Sequence, residues 1–148
     1  MKTAIVYISA HHENTKKLVD SIAAANEVAV FDAAKEESID LSNFDCIGFA
    51  SGIVNGDFYP SLLSFMEGKL PSNKNVFFLY TCGMKRKGYT EKARNIAMNK
   101  ECKILGEYGC LGFDTFGPLK MIGGIAKGHP TDSEIKEAVA FFTSIIEV

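Results

Sequence analysis

The segment Ser9-Ala10-His11-His12-Glu13-Asn14-Thr15 puts small, hydroxyl-bearing and imidazole residues between a short apolar run, Ala4–Ser9, and an amphipathic stretch that begins at Thr15. A helix N-terminus presents unpaired backbone N–H groups and a partial positive charge, and neighbouring hydroxyls add donors, so such a turn suits an anion. Lys16 and Lys17 follow in the first helical turn, where each cation costs about 0.3–1 kcal/mol unless an anion is close by. The same residues also read as plain N-capping by Asn14 or Thr15.

Two later loops suggest a second kind of binding. Ser51-Gly52-Ile53-Val54-Asn55-Gly56-Asp57-Phe58-Tyr59 carries two glycines and two aromatics, and Thr81-Cys82-Gly83-Met84-Lys85-Arg86-Lys87-Gly88-Tyr89 carries two more glycines with Met84 and Tyr89. Glycines let backbone N–H groups reach the polar edge of a flat tricyclic ring, and apolar side chains cover its faces. The alternative is a pair of ordinary Gly-rich turns whose aromatics anchor the helices that follow. A long last loop, Phe113 to Pro130, exceeds the length at which structureless loops become uncommon, about 12–15 residues. It reads either as a flap over the ligand or as a packed surface loop.

Other chemistries fail on inspection. No Gly-x-Gly-x-x-Gly is present, and Gly83 to Gly88 has P-loop glycine spacing but Tyr89 where Lys is required. Cys82 sits where a phosphatase nucleophile would, but a Cys-x5-Arg cradle needs Arg at 88, which is Gly88. A receiver domain needs an acidic pair after strand one and Asp ending strand three; this chain has Ser9-Ala10 and Ser51.

The elements that must position these loops alternate along the chain. Near-continuous apolar runs at Ala4–Ser9, Val28–Asp32, Cys46–Ser51, Val76–Cys82 and Ile104–Gly112 predict strands buried on both faces, as in a parallel sheet. Helical spacing predicts Thr15–Ala25, Pro60–Met66, Thr90–Met98 and a last helix over Ile135–Ile146, with Thr131 and Glu134 as its capping box. Five strands with four connecting helices and right-handed crossovers give an α/β, three-layer, doubly wound domain. Ligands of such sheets bind outside the carboxyl ends of the strands, where all of these loops lie.

The chain of 148 residues, 47% apolar, is expected to form one domain over residues 1–148. No apolar run approaches the roughly 20 residues of a membrane span. No signal-peptide pattern follows Met1, so a cytoplasmic location and no membrane partner are expected. A net charge of −2 excludes a strongly basic nucleic-acid binder. Cys46, Cys82, Cys102 and Cys110 form no Cys-x-x-Cys pair and are expected to be free thiols, with no metal.

The phosphate-type loop, the Ser51-Gly52-Ile53 loop and the tail Gly112-Phe113-Asp114-Thr115-Phe116-Gly117-Pro118…Gly123-Gly124-Ile125…Gly128-His129-Pro130 together resemble the flavodoxin family over essentially the whole chain. The resemblance implies a five-stranded parallel sheet in the order 2-1-3-4-5 and one FMN. It implies that Ser9, His11, His12, Asn14 and Thr15 hold the phosphate. Ser51, Gly52, Ile53, Val54, Asn55 and Gly56 would flank one side of the ring, and Thr81, Cys82 and Gly83 the other, with Met84 and Tyr89 in the same loop. The Asn55–Gly56 peptide is the candidate for the bond that turns toward the ring on reduction, since Gly56 permits positive φ and Asn55 tolerates it.

Where the family usually has Gly before the Asn-Thr pair, this chain has Glu13. Either Glu13 points outward or FMN binds more weakly. The expected function is an electron carrier that shuttles one or two electrons between redox partner proteins, a reductase and an acceptor, with no catalytic residue demanded of the protein. The alternative is an FMN-dependent NAD(P)H quinone or flavin oxidoreductase. Lys85, Arg86 and Lys87, with Lys120 and Lys127, read either as solvated side chains or as a basic rim for an acidic partner or nucleotide phosphates.

Overall fold

A computed structural model describes residues 1–10, 12–115 and 117–147. Its first strand is β1 (Thr3–Ile8), an interior strand in which every residue is buried. After it come α1 (Asn14–Ala25), β2 (Ala29–Asp32), β3 (Cys46–Val54), β4 (Asp57–Phe58), α2 (Pro60–Lys69), β5 (Asn75–Cys82), α3 (Glu91–Asn99), β6 (Lys103–Leu111), a 3-10 turn (Gly117–Ile122) and α4 (Asp132–Ile146). Five strands are parallel in the order β2-β1-β3-β5-β6, and the two-residue β4 pairs antiparallel with the end of β3. This is the expected order 2-1-3-4-5 once the short extra strand is counted.

Side-chain alternation splits the core into two layers. On β5, Phe77 faces the layer formed with α1 and α4, beside Ile5, Leu18, Ile22 and Phe142. Phe78 faces the other layer, with Phe49, Phe58, Leu62, Met66 and Ala93. Both faces of the sheet are covered, which is why its strands read as unbroken apolar runs. The capping box of α4 is formed as expected. Thr131 Oγ1 accepts from Glu134 N at 3.2 Å, and Glu134 Oε1 accepts from Thr131 N at 2.8 Å.

Two features differ from the expected architecture. The crossover from β2 to β3, residues 33–45, contains no helix, and α4 follows the last strand rather than connecting two. Acidic and hydroxyl side chains hold the crossover as turns: Ala34 N donates to Asp32 Oδ1, and Ser42 N donates to Asp40 Oδ1, both at 2.9 Å. These local bonds compete with a helical ladder. Ile39, Leu41 and Phe44 from the same segment cover the sheet where a helix would have lain. The second difference is β4. Asn55 (φ 51°) and Gly56 (φ 82°) make the tight turn of a two-residue hairpin, the pattern of a type I′ turn.

Candidate functional site

The chain leaves β1 to one side toward β2, whereas β3 lies on the other side of β1. Such a reversal opens a crevice at the carboxyl ends of the strands. Two adjoining hollows lie there. They share Ile53, Cys82, Gly83 and Asp114 and so form one elongated cleft.

The inner hollow is polar and is built on the start of α1. The Glu13 side chain does not cap the helix. Instead Ser9 Oγ accepts from Lys16 N at 3.2 Å, which leaves the Ser9 hydroxyl proton available. Thr15 Oγ1 and Thr81 Oγ1 are 2.9 Å apart and both residues are buried. In such a pair one hydroxyl donates to the other and one proton is left over. Spare hydroxyl donors beside a helix N-terminus make this end suited to an anion. The Lys16 ammonium is not turned to this end; it pairs with Asp20 at 2.7 Å along the outside of the helix.

Asn14 has a different role from a phosphate donor. Its Nδ2 donates to Phe113 O at 2.8 Å, which fixes the amide orientation and ties α1 to the start of the long loop. Its Oδ1 is buried and has no hydrogen-bond partner among the described residues. An amide oxygen only accepts, so it calls for a donor such as a ligand hydroxyl. His12 is also committed to the long loop: its ring stacks on Phe113 at 4.3 Å, and Nε2 lies 3.0 Å from Thr115 Oγ1. His11 lies outside the described residues.

The loop reaches α1 through two left-handed residues, His12 (φ 55°) and Glu13 (φ 54°). Glycine adopts that conformation without a Cβ penalty, which accounts for the glycine at position 13 in the resemblance. The Glu13 residue is exposed, so its carboxylate faces solvent.

The outer hollow is lined by Val54, Asn55, Gly56, Met84, Tyr89, Leu119 and Ile125, together with the shared residues. Tyr89 packs edge-on against Tyr80 and donates to Met84 O, closing the loop back on itself. Gly83 is required by close approach. A Cβ there would lie 2.6 Å from Asp114 Oδ2 and 2.9 Å from Ile125 Cδ1. The long loop therefore closes over β5, held by paired backbone bonds between Asp114 and Ile125 and by Phe113 N donating to His129 O.

Burial holds one thiol and one phenol of the cleft in their protonated forms. Burial pushes the Cys82 thiol up to about 11, and its Sγ lies 3.5 Å from Cys110 O. It is a protonated packing residue at neutral pH, not a nucleophile. Burial, then the nearby Asp114 carboxylate, raises the Tyr59 hydroxyl above its ordinary value.

Of the residues expected to bind, Ser9, Asn14, Thr15, Gly52, Ile53, Val54, Asn55, Gly56, Thr81, Cys82, Gly83, Met84 and Tyr89 line the cleft. Ser51 does not. It is fully buried, accepting from Tyr59 N at 3.1 Å and donating to Gly52 O at 2.6 Å, and so holds the hairpin in place. The Asn55–Gly56 peptide is also a poor candidate for turning over. Reversing it converts a type I′ turn into II′, which puts Asn55 at the position that calls for glycine. The loop Phe113–Pro130 reads in the sequence as a flap or a packed surface loop, but Asp114, Leu119 and Ile125 are not singled out there as lining the cleft, because no spacing signal pairs particular loop residues with the end of β5.

The comparisons agree with this geometry. The flavodoxin domain family model matches residues 4–109. An uncharacterized protein of Methanocaldococcus jannaschii is 34% identical over 149 residues, covering 99% of both chains. Among solved structures, a flavodoxin from the domain Archaea superposes with a TM-score of 0.69 at 18% identity, covering 98% of this chain and 96% of that one. A Fusobacterium nucleatum flavodoxin, solved bound to flavin mononucleotide, gives 0.69 at 15% identity, covering 99% and 98%. The chain belongs to the flavodoxin family.

Proposed function

We propose that the chain binds one FMN along the cleft and works as an electron carrier between protein partners. The observation that carries this reading is the two-part cleft: a hydroxyl-rich hollow at the start of α1, continuous with a more apolar hollow at the carboxyl ends of β3 and β5. Ser9, Thr15, Thr81 and the first amides of α1 would hold the phosphate. The orphaned Asn14 Oδ1 would accept from a hydroxyl of the sugar-alcohol chain. Val54, Met84, Tyr89, Leu119 and Ile125 would enclose the ring and keep water from it. Bound FMN supplies reversible one- and two-electron chemistry; the protein positions it and sets its access to solvent.

The test is to purify the protein, release the ligand and resolve it by chromatography. FMN as the main species supports the reading, and FAD or no flavin overturns it. NAD(P)H added alone under anaerobic conditions should leave the yellow colour unchanged. Direct bleaching would make the protein a reductase instead of a carrier.

A further inference from the structure

We propose that the basic rim around the outer hollow is the docking face for an acidic electron-transfer protein. This rests on the reading that the hollow holds a flavin, since docking there would bring a partner to the cofactor's edge. Two loops meet at the rim. Met84 and Arg86 line the hollow from one, and Leu119 and Ile125 from the other.

The apolar part of this rim stands out. Five large hydrophobic residues are exposed among the described residues, and three of them, Met84 (54%), Met121 (90%) and Ile122 (71%), lie on these two loops. Lys85, Arg86, Lys87, Lys120 and Lys127 on the same two segments are all exposed. The described ion pairs engage Lys16, Lys35, Lys92, Arg94 and His129, none of them a rim cation. Asp57, the acid of the neighbouring hairpin, is engaged by Lys92 at 3.3 Å. Asp114 is turned in against Gly83.

An apolar centre ringed by charge is how protein interfaces are built, and methionine adapts to differing partner surfaces. The partner's sign follows from the charge distribution. Five of the chain's 16 Lys and Arg lie on this rim with Asp57 and Asp114, while elsewhere the remaining 11 are outnumbered by the other 16 of the 18 Asp and Glu. An acidic protein is thus attracted at the rim and repelled elsewhere, which favours approach with the cleft facing the partner.

The test uses the full chain, FMN-loaded and ¹⁵N-labelled, titrated at low salt with an acidic [2Fe–2S] ferredoxin as the probe and followed by amide NMR. Perturbations should cluster in residues 84–88 and 117–128 and fade as rising salt shortens the screening length to about 8 Å and below. The Lys85→Glu, Arg86→Glu, Lys87→Glu variant should bind roughly tenfold or more weakly. Met121→Ala should weaken binding about threefold without changing the salt dependence.

Perturbations elsewhere, or unchanged affinity in the triple variant, overturn the proposal. So does a rim that responds to NADPH and not to ferredoxin. Flavin content is read from visible absorbance of the same samples. Colourless protein that still binds ferredoxin through the rim overturns the cofactor reading alone, and yellow protein indifferent to ferredoxin overturns the docking alone.

Discussion

The two halves of the cleft are built from different materials. The inner hollow rests on a helix start, two strand ends and a pair of buried threonines, Thr15 and Thr81, that bond to each other. The outer hollow rests on loops: a two-residue hairpin, a segment closed by the Tyr89 hydroxyl, and a long flap held down by a few backbone bonds. A rigid, donor-rich inner end is suited to fixing a ligand, whereas a loop-built outer end is suited to meeting partners and adjusting. Changes to the inner half should therefore alter affinity for the ligand's anionic end, and changes to the outer half should alter loop closure and access.

The largest effect is expected at the junction of the halves. Gly83→Ala forces a Cβ to within 2.6 Å of Asp114 Oδ2, so the flap must lift. Overpacking of this kind typically costs about 1–3 kcal/mol. Urea unfolding should show that loss, and the flap residues should lose amide-exchange protection before the strands do. Unchanged protection at Asp114 and Ile125 would mean that the flap is not seated on Gly83.

Thr15→Ala removes one member of the buried hydroxyl pair and a donor at the helix start. FMN binding should weaken by about 1–3 kcal/mol, the range for a lost hydrogen bond to a charged group. Riboflavin binding should change much less. Equal losses for both ligands would show that Thr15 supports the cleft's shape and does not contact an anion.

The carboxyl of Glu134 joins the flap's end to α4. Burial raises its pKa, but bonds from the Thr131 amide, His129 and the Leu111 amide outweigh this and leave it below the ordinary carboxylate value. A depressed folded-state pKa contributes stability above the unfolded value, near 4.5, and loses it as pH falls through the folded one. Glu134→Gln should therefore destabilise by about 1 kcal/mol at pH 7 and converge with wild type in acid. Parallel stability curves for the two proteins across that range would refute the assignment.

The smallest effect is a gain. Glu13→Gly relieves a left-handed φ of 54° at an exposed position and should add roughly 0.5–1 kcal/mol to stability. FMN affinity should rise only slightly, since the carboxylate already faces water. A large rise in affinity would place Glu13 nearer the phosphate than its exposure implies.

How much of this was legible in the sequence follows the same division. Strands such as Val76–Cys82 and helices such as the one after Thr131 were readable because burial on two faces, or on one helical stripe, imposes a period on residue type. The α1 side of the inner hollow was readable because Ser9, Asn14 and Thr15 fall within one short segment. No helix is read in the crossover after Asp32, but the burial of Ile39, Leu41 and Phe44 there was not readable, because it follows no helical repeat. The β4 hairpin carried a turn signal in Asn55-Gly56, but the same glycine also suited a ligand loop. Asp114 against Gly83, and Asn14 spent on Phe113, are meetings of distant segments that no local pattern encodes.

The most direct test of the account is a paired titration of the ligand-free protein with FMN and with riboflavin, which differ by the phosphate alone, followed by quenching of flavin fluorescence. If the α1 start and its hydroxyls hold an anion, FMN should bind at least roughly tenfold more tightly than riboflavin, as several charge-assisted hydrogen bonds require. Equal affinity for the two would contradict the account, because the inner hollow would then contribute nothing to recognition of the phosphate.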